Sequence, residues 1–375
     1  MPAVDNVLIV GGGIAGLTLA IGLNRAGIRT EIVEINPDWT VSGLGLSLQG
    51  PALRALRMIG LLDQCVERGF GYSYFSACDV HGNVTGTVRM PQLNGPDYPA
   101  AMGIMRQALY SLLKQVLAEA QVPVHPGVTL SSLDQDDNGV DVTFTDGRHG
   151  RYCLAVGADG ANSKIRDMLF GREFRPKYTG QAVWRATVNR PADVQARYSF
   201  YGPRNMAGVN PVSDKQMYIY LVQNLPGFVH LADDRLPATI REQLEDFSGL
   251  IADAREEITD PSQIVYRPIT SGLLPAPWFR GRTILIGDAA HTVTPHLAAG
   301  AGIAIEDSIV LTEMLQSAPS VVDALENFMT RRFDRCRLVV ENSFMLGEWD
   351  KVPNTPGADP VGVLDRSLKA LAEPF

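Results

Sequence analysis

The sequence predicts an α/β fold in which a parallel-sheet domain is interrupted by mainly β inserts and followed by C-terminal helices. Three observations carry that prediction. A short apolar strand, a glycine-rich turn and a helix follow one another near the N-terminus. Two later apolar strands each run into a turn that joins glycine to aspartate. The stretches between them are rich in alternating apolar and aromatic residues, the texture of strands. At 375 residues the chain exceeds what one hydrophobic core usually serves, so two interlocked domains are expected.

The first element is the β-branched run Val7-Leu8-Ile9-Val10. Gly11-Gly12-Gly13-Ile14-Ala15-Gly16 follows at once, then Leu17, Ala20, Ile21 and Leu23 recur at helical spacing, and Gly27 ends the helix as a C-cap glycine would. In such a unit Gly11 permits the tight turn, Gly13 lets the backbone approach a pyrophosphate, and Gly16 allows close packing of helix on strand. The free N–H groups of the helix start face the phosphates. A second strand, Thr30–Glu34, ends in Glu34, 18 residues beyond Gly16, where a carboxylate can accept hydrogen bonds from both ribose hydroxyls of an adenosine without a 2′-phosphate. A dinucleotide site is predicted, and NAD and FAD satisfy this segment equally.

Two distant segments discriminate between them. Cys153–Arg166 reads as an apolar strand, a turn at Asp159-Gly160 and a helix start capped by Asn162 or Ser163. Trp278–His291 reads as another buried strand ending in Gly287-Asp288, followed by Pro295, Gly300, Gly302 and Glu306-Asp307 at the opening of a long helix. The stretches 73–101 and 171–270, which include Met217-Tyr218-Ile219-Tyr220-Leu221-Val222, read as strands of a separate sheet. Beyond them, Val321–Phe344 has helical spacing and several arginines, among them Arg331, Arg332, Arg335 and Arg337, expected on a solvated face. A Pro/Gly-rich link, Val352–Gly362, leads to a short helix near Leu364–Ala372.

Composition removes several classes of function. With 33 Lys+Arg against 41 Asp+Glu the net charge is -8, and no basic run could track a nucleic-acid backbone. Cys65, Cys78, Cys153 and Cys336 lie far apart, without a Cys/His spacing that builds a metal site, and are expected to be reduced thiols. Met1 runs almost directly into the first strand, and no long apolar span is present, so a cytoplasmic protein without membrane association is expected.

The three motifs in this order, Gly11/Gly13/Gly16, Asp159-Gly160 and Gly287-Asp288, resemble those of the group A flavoprotein monooxygenases, the family of para-hydroxybenzoate, salicylate and 6-hydroxynicotinate hydroxylases. The resemblance also covers Arg106 in Gly103–Leu109, the strand Thr179–Arg185 and the helix through Glu306-Asp307, and so reaches about residue 345. It implies a Rossmann-type FAD-binding domain (1–72, 102–170 and 271–340), an inserted mainly β substrate domain (73–101 and 171–270) and a C-terminal helical tail (341–375), in a monomer or homodimer.

By the same resemblance Glu34 holds the adenosine ribose, Arg106 lies near the pyrophosphate and ribityl chain, Asp288 binds a ribityl hydroxyl, and Asp159 supports FAD and its reduction. Pro295, Gly300, Ala301 and Gly302 belong to the helix start beside the flavin, whose positive end favours the anionic reduced ring. Two departures stand out: Ala299 replaces a glutamine common in the family, and Ser47, in the loop Gly43–Gln49 beside the flavin, occupies the position of a histidine base found in hydroxynicotinate-type members.

The implied activity is hydroxylation of a small aromatic or N-heteroaromatic phenol. NADH or NADPH reduces FAD, O2 adds to give a peroxyflavin, and the electron-rich ring attacks its terminal oxygen. Since a phenol ionises only near a pKa of about 10, a base beside the substrate hydroxyl is expected. His296, in Thr294-Pro295-His296 just before the flavin-facing helix, is the first candidate; Tyr218 and Tyr220, which share one strand face, follow. Ser47, Gln181 and Arg204 are candidate substrate contacts, the arginine through a substrate carboxylate. His291, directly after the Gly-Asp motif, is expected to be structural.

Other functions fit less well. A halogenase of this fold would show a W-x-W-x-I-P run, which is absent from the sequence. A prenyl reductase shares the same motifs. A flavin-free nicotinamide dehydrogenase would leave Asp159-Gly160 and Gly287-Asp288 without a role, and a non-catalytic binding protein is separated by colour, since bound FAD makes a purified protein yellow.

Overall fold

The structure, a computed structural model, describes residues 2–40, 43–352 and 355–375. Its first layer is a six-stranded sheet in the order Phe279–Arg280, Thr283–Leu285, Leu154–Gly157, Asn6–Val10, Arg29–Glu34, Val124–Pro126, parallel except at the Phe279–Arg280 edge. Val7 to Val10 are at most 2% exposed because both faces of this strand are covered. Each such aliphatic side chain contributes roughly 1.5–3 kcal/mol by leaving water.

Helix Ile14–Arg25 packs on the sheet, and Arg106–Glu119 and Gly300–Ser317 both pack against that helix. Thr18 Oγ1 meets Ser308 Oγ at 2.9 Å, and a Cβ at Gly22 would lie 2.6 Å from Thr312 Oγ1, so the first and last of these helices approach closely. The long helix Val321–Lys351 packs on Gly300–Ser317.

The second layer is an eight-stranded sheet in the order His291–Thr292, Ile264–Leu273, Lys177–Asn189, Gln216–Asn224, Met206–Pro211, Arg197–Tyr201, Tyr74–Cys78, Val84–Arg89. All its pairings are antiparallel except Arg197–Tyr201 with Tyr74–Cys78. It draws on both stretches that read as inserts and carries its own core around Trp184, Phe200, Ile219 and Leu221. A three-stranded sheet, Gly45–Gln49, Ala101–Met105 and Phe70–Tyr72, joins the two layers.

Ser163 caps the helix Lys164–Phe170, its Oγ accepting from Arg166 N at 2.9 Å, which decides between the two candidate caps. In the Pro/Gly-rich link Pro353 and Asn354 lie outside the described residues; the helix beyond it spans Pro360–Ala372. No helix of the described residues is long and apolar enough to cross a membrane.

The arginines of the long helix correct the sequence reading. Arg331 and Arg337 have side chains 33% and 48% exposed, but Arg332 is 0% and Arg335 11% exposed. Arg332 donates from Nε to Asp307 Oδ1 and from Nη1 to Glu306 Oε2, both at 2.8 Å, and Arg335 holds Glu306 from its other side. Helical spacing places a residue on a face; only the packing of a second helix decides whether that face is wet.

Candidate active site

Between the two large sheets lies a cavity of about 490 Å³, within the usual range for small-molecule sites. At one end stands the glycine turn. Gly11 has φ +112°, and a Cβ there would sit 2.3 Å from Ala158 O, while one at Gly16 would sit 2.0 Å from Gly11 O. At Gly13 a Cβ would meet nothing within 4 Å, so this backbone is open to the cavity it lines. Glu34 is held at the turn: its Oε2 accepts from Gly12 N at 2.7 Å and its Oε1 from Asn36 N at 2.8 Å.

Two charged groups, Arg106 and Asp288, follow along the wall, and a third, Asp159, stands between Ala158 and Gly160, which also line it. Arg106 opens its helix and lines the cavity; its buried Nε has no partner among the described residues, and burial lowers its proton affinity against the pull of Asp288. Asp159 accepts from Lys164 N and Ile165 N through Oδ2 at 2.7 and 3.1 Å, while its Oδ1 is buried and has no partner among the described residues. Burial pushes this carboxyl above the usual range. Asp288 opens onto the cavity from the single turn Gly287–Ala289, and enclosure by protein raises its carboxyl too, with His291 and Arg106 opposing.

That turn is fixed from behind. Gly287, at φ +59°, donates its N–H to Asp307 Oδ2 at 2.9 Å, and His291 Nε2 meets the same oxygen at 2.6 Å. Burial alone would raise the Asp307 carboxyl, but His291 and Arg332 outweigh it and hold the group at about 2. His291 is raised well above its ordinary value despite burial, through Cys336 and Asp307. The ligand atoms of His291, Asp307 and Cys336 fall within 4.8 Å of one another. The Arg332 guanidinium, donating to Asp307 and, at 3.4 Å, to Cys336 Sγ, supplies the cation there.

The other end of the cavity is the face of the eight-stranded sheet. Because alternate residues share a face, Val183 and Arg185, Tyr218, Tyr220 and Val222, and Arg267 and Ile269 all point into it. Tyr218 and Tyr220 sit with ring centroids 6.1 Å apart, and Asn210 Nδ2 donates to the Tyr218 hydroxyl at 3.1 Å. Ser47 lines the cavity, its hydroxyl 2.9 Å from that of Tyr72. Burial raises the Tyr72 phenol strongly. His296 also lines the cavity, with Nδ1 3.0 Å from Thr294 Oγ1 and Nε2 3.3 Å from Asp350 Oδ2, an ion-pair distance without hydrogen-bond alignment. Pro295, Gly300 and Ala301 bring the N-terminal end of the helix Gly300–Ser317 to the same wall.

Three assignments made from sequence are corrected by position. Gln181 is 1% exposed and bonds Asn224 Oδ1 from behind the wall rather than lining it. Arg204 lies at the surface, its side chain 53% exposed, paired with Asp246 at 2.7 Å. Gly302 faces Ala52, whose Cβ a methyl there would meet at 3.2 Å, so it serves helix packing rather than the cavity.

The family profile described as FAD binding domain matches residues 5–343. The chain belongs to this FAD-binding family. Among its relatives, the aurachin C monooxygenase/isomerase of Stigmatella aurantiaca is 30% identical, over 91% of this chain and 88% of that one. The 2-heptyl-3-hydroxy-4(1H)-quinolone synthase of Pseudomonas aeruginosa is 30% identical, over 92% and 90%. Klebsiella pneumoniae HpxO, solved with FAD and uric acid, superposes with a TM-score of 0.83 at 22% identity, over 98% of this chain and 92% of that one, a likeness of fold. The protein is an FAD-dependent monooxygenase of the aromatic-hydroxylase type, with FAD as its cofactor.

The residues of this flavoenzyme fit that cofactor. The open backbone at Gly13 is a cradle any side chain would fill, and Arg106 Nε and Asp159 Oδ1 are buried polar atoms without a partner among the described residues. Sequence reasoning missed Arg197, Arg267, Tyr72 and Asp350, and gave Arg185 no role of its own. A signal existed for Arg185 and Arg267, which alternate with apolar neighbours on strands; for Asp350, in a different segment from His296, there was none.

Proposed function

We propose that this monooxygenase hydroxylates a small aromatic or N-heteroaromatic compound carrying a ring hydroxyl, with NADH or NADPH and O2 as co-substrates. One observation carries the reading: a single cavity runs from the glycine turn, Arg106 and Asp288 to a sheet face lined by tyrosines, with His296 on the turn beside it. The names of the relatives support the ring class, since a quinolone and uric acid are both nitrogen heterocycles.

In this reading Gly11, Gly13 and Gly16 shape the turn for the pyrophosphate and Glu34 takes the adenosine ribose. Arg106, Asp159 and Asp288 hold the remainder of the cofactor, and the helix start at Pro295, Gly300 and Ala301 faces its ring. When bound, FAD carries electrons from the nicotinamide and activates O2. The chain's own residues position the substrate, exclude water and move its proton. A neutral phenol attacks poorly, and His296 is the base that accepts the hydroxyl proton, its imidazole braced by Thr294 and Asp350. Tyr218 already accepts from Asn210, so its own O–H is free to donate to a substrate oxygen. Tyr220 and Ser47 complete the polar lining.

The test is a visible spectrum of the purified protein, then NAD(P)H oxidation with hydroxybenzoates, hydroxypyridines and aminophenols, with 18O2 traced into product. Flavin bands near ~450 nm and labelled product from one ring class are expected. A protein that neither contains nor takes up FAD, or one whose oxidation no ring compound stimulates, would sink the proposal.

A further inference from the structure

The second glycine of the turn is held by three side chains from outside it. Gly12 N donates to Glu34 Oε2 at 2.7 Å, and Gly12 O accepts twice, from Trp39 Nε1 at 3.2 Å and from the Tyr110 hydroxyl. A Cβ at Gly12 would lie 2.5 Å from Trp39 Nε1, so a glycine is what lets the indole reach the backbone. An indole nitrogen only donates and a carbonyl only accepts, which fixes the direction of these bonds. Burial raises the Tyr110 phenol well above its ordinary value, and the Glu34 charge adds to it, so the hydroxyl keeps the proton it donates.

The two aromatic donors are themselves braced. Trp39 and Tyr110 meet edge to face with ring centroids 6.3 Å apart. Lys114, one turn beyond Tyr110 on the helix Arg106–Glu119, donates to the Trp39 carbonyl at 3.2 Å and stands 4.1 Å from the Trp39 ring centroid. Trp39 has φ +41°, a left-handed conformation that a bulky residue keeps only where its surroundings impose it. The consequence lies across one peptide bond. Gly12 O and the Gly13 N–H belong to the same planar trans unit and point in opposite directions. Holding the carbonyl towards Trp39 and Tyr110 turns that N–H away from them, on a residue that opens onto the cavity. Gly13 is the N-cap of the helix Ile14–Arg25, where N–H groups have no intrahelical acceptor, and a peptide that accepts at its carbonyl donates more strongly from its nitrogen.

We infer that Trp39 and Tyr110 are positioning residues for FAD, which aim the Gly13 N–H at its pyrophosphate by holding the Gly12 carbonyl. The inference rests on the reading that the glycine turn takes the pyrophosphate, and the test separates the two. FAD-loaded protein is titrated with ADP, which carries a pyrophosphate, and with adenosine, which does not. The rise in flavin fluorescence on release, with the FAD dissociation constant of each protein measured by dilution, gives the affinity of both. Wild type should bind ADP at least about tenfold more tightly than adenosine, the worth of one hydrogen bond to a charged group. Tyr110→Phe, which removes one hydroxyl, and Trp39→Phe, which removes the indole donor, should each weaken ADP and FAD about three- to tenfold and leave adenosine unchanged. Equal weakening of ADP and adenosine, or unchanged ADP affinity in a folded variant, overturns the inference, and either variant decides alone if the other fails to fold. Wild type that binds ADP no better than adenosine would refute the pyrophosphate reading of the turn and the inference with it, whereas a preference that both variants keep refutes the inference alone.

Discussion

Replacing Arg332 by methionine tests the buried charge network beneath the Gly-Asp turn. The side chain keeps its apolar stem but loses bonds to Asp307 Oδ1, Glu306 Oε2, the Ile303 carbonyl and Cys336 Sγ. Breaking a buried ion pair from one side costs about 3–5 kcal/mol. The network lowers that here: Asp307 keeps His291, and Glu306 keeps Arg335. Each carboxylate thus retains one cation, and a loss near the lower end, about 3 kcal/mol, is expected, a large share of the 5–15 kcal/mol typical of a domain. Urea unfolding followed by tryptophan fluorescence measures it. Arg337→Met, on the exposed face and ion-paired among the described residues with Asp334 alone, is the control, and its cost should lie within about 0–1 kcal/mol. Since Asp307 also holds Gly287 N, flavin should leave Arg332→Met faster than wild type. Equal unfolding midpoints for the two variants would refute the claim that the buried arginine holds this turn.

Three further outcomes follow from the same geometry. Gly13→Ala should fold with wild-type stability because its Cβ meets nothing within 4 Å, yet retain FAD poorly, whereas Gly16→Ala, with its Cβ 2.0 Å from Gly11 O, should be destabilised as apoprotein; the order of the two apoprotein melting temperatures checks this. Asp307 contributes stability that is full above the ordinary carboxylate pKa and lost as pH falls towards its folded value of about 2, and His291 contributes stability that is full below the ordinary imidazole pKa and lost as pH rises through its raised one. The stability gap between wild type and Asp307→Asn should therefore be widest between about pH 4 and 6.5, and a gap that does not change with pH in urea titrations would contradict the assignment. His296→Asn should keep its flavin but lower hydroxylation by about 10²–10⁴-fold, with product formed per NAD(P)H consumed as the readout; an unchanged ratio and rate would remove His296 as the base.

The local elements of the candidate cofactor end were legible in the sequence because each is a contiguous unit. Strand, glycine turn and helix at Val7–Leu23, the strand ending in Glu34, and the turns at Asp159-Gly160 and Gly287-Asp288 each follow from backbone conformation that neighbouring residues impose. His291 was legible as structural for the same reason, being tied to the turn beside it. The substrate end is assembled from separate strands, and there only the tertiary structure decided. Arg197 and Tyr220 meet because their strands stand on either side of Met206–Pro211, and Gly208 on that middle strand leaves the space. Arg204, seven residues beyond Arg197, lies instead at the surface against Asp246. The arginines of the last long helix showed the same limit: spacing drew the helix, but the packing of Gly300–Ser317 against it made Arg332 the centre of a buried network and left Arg337 in water. A charge's environment is a property of everything packed around it, and most of that lies elsewhere in the chain.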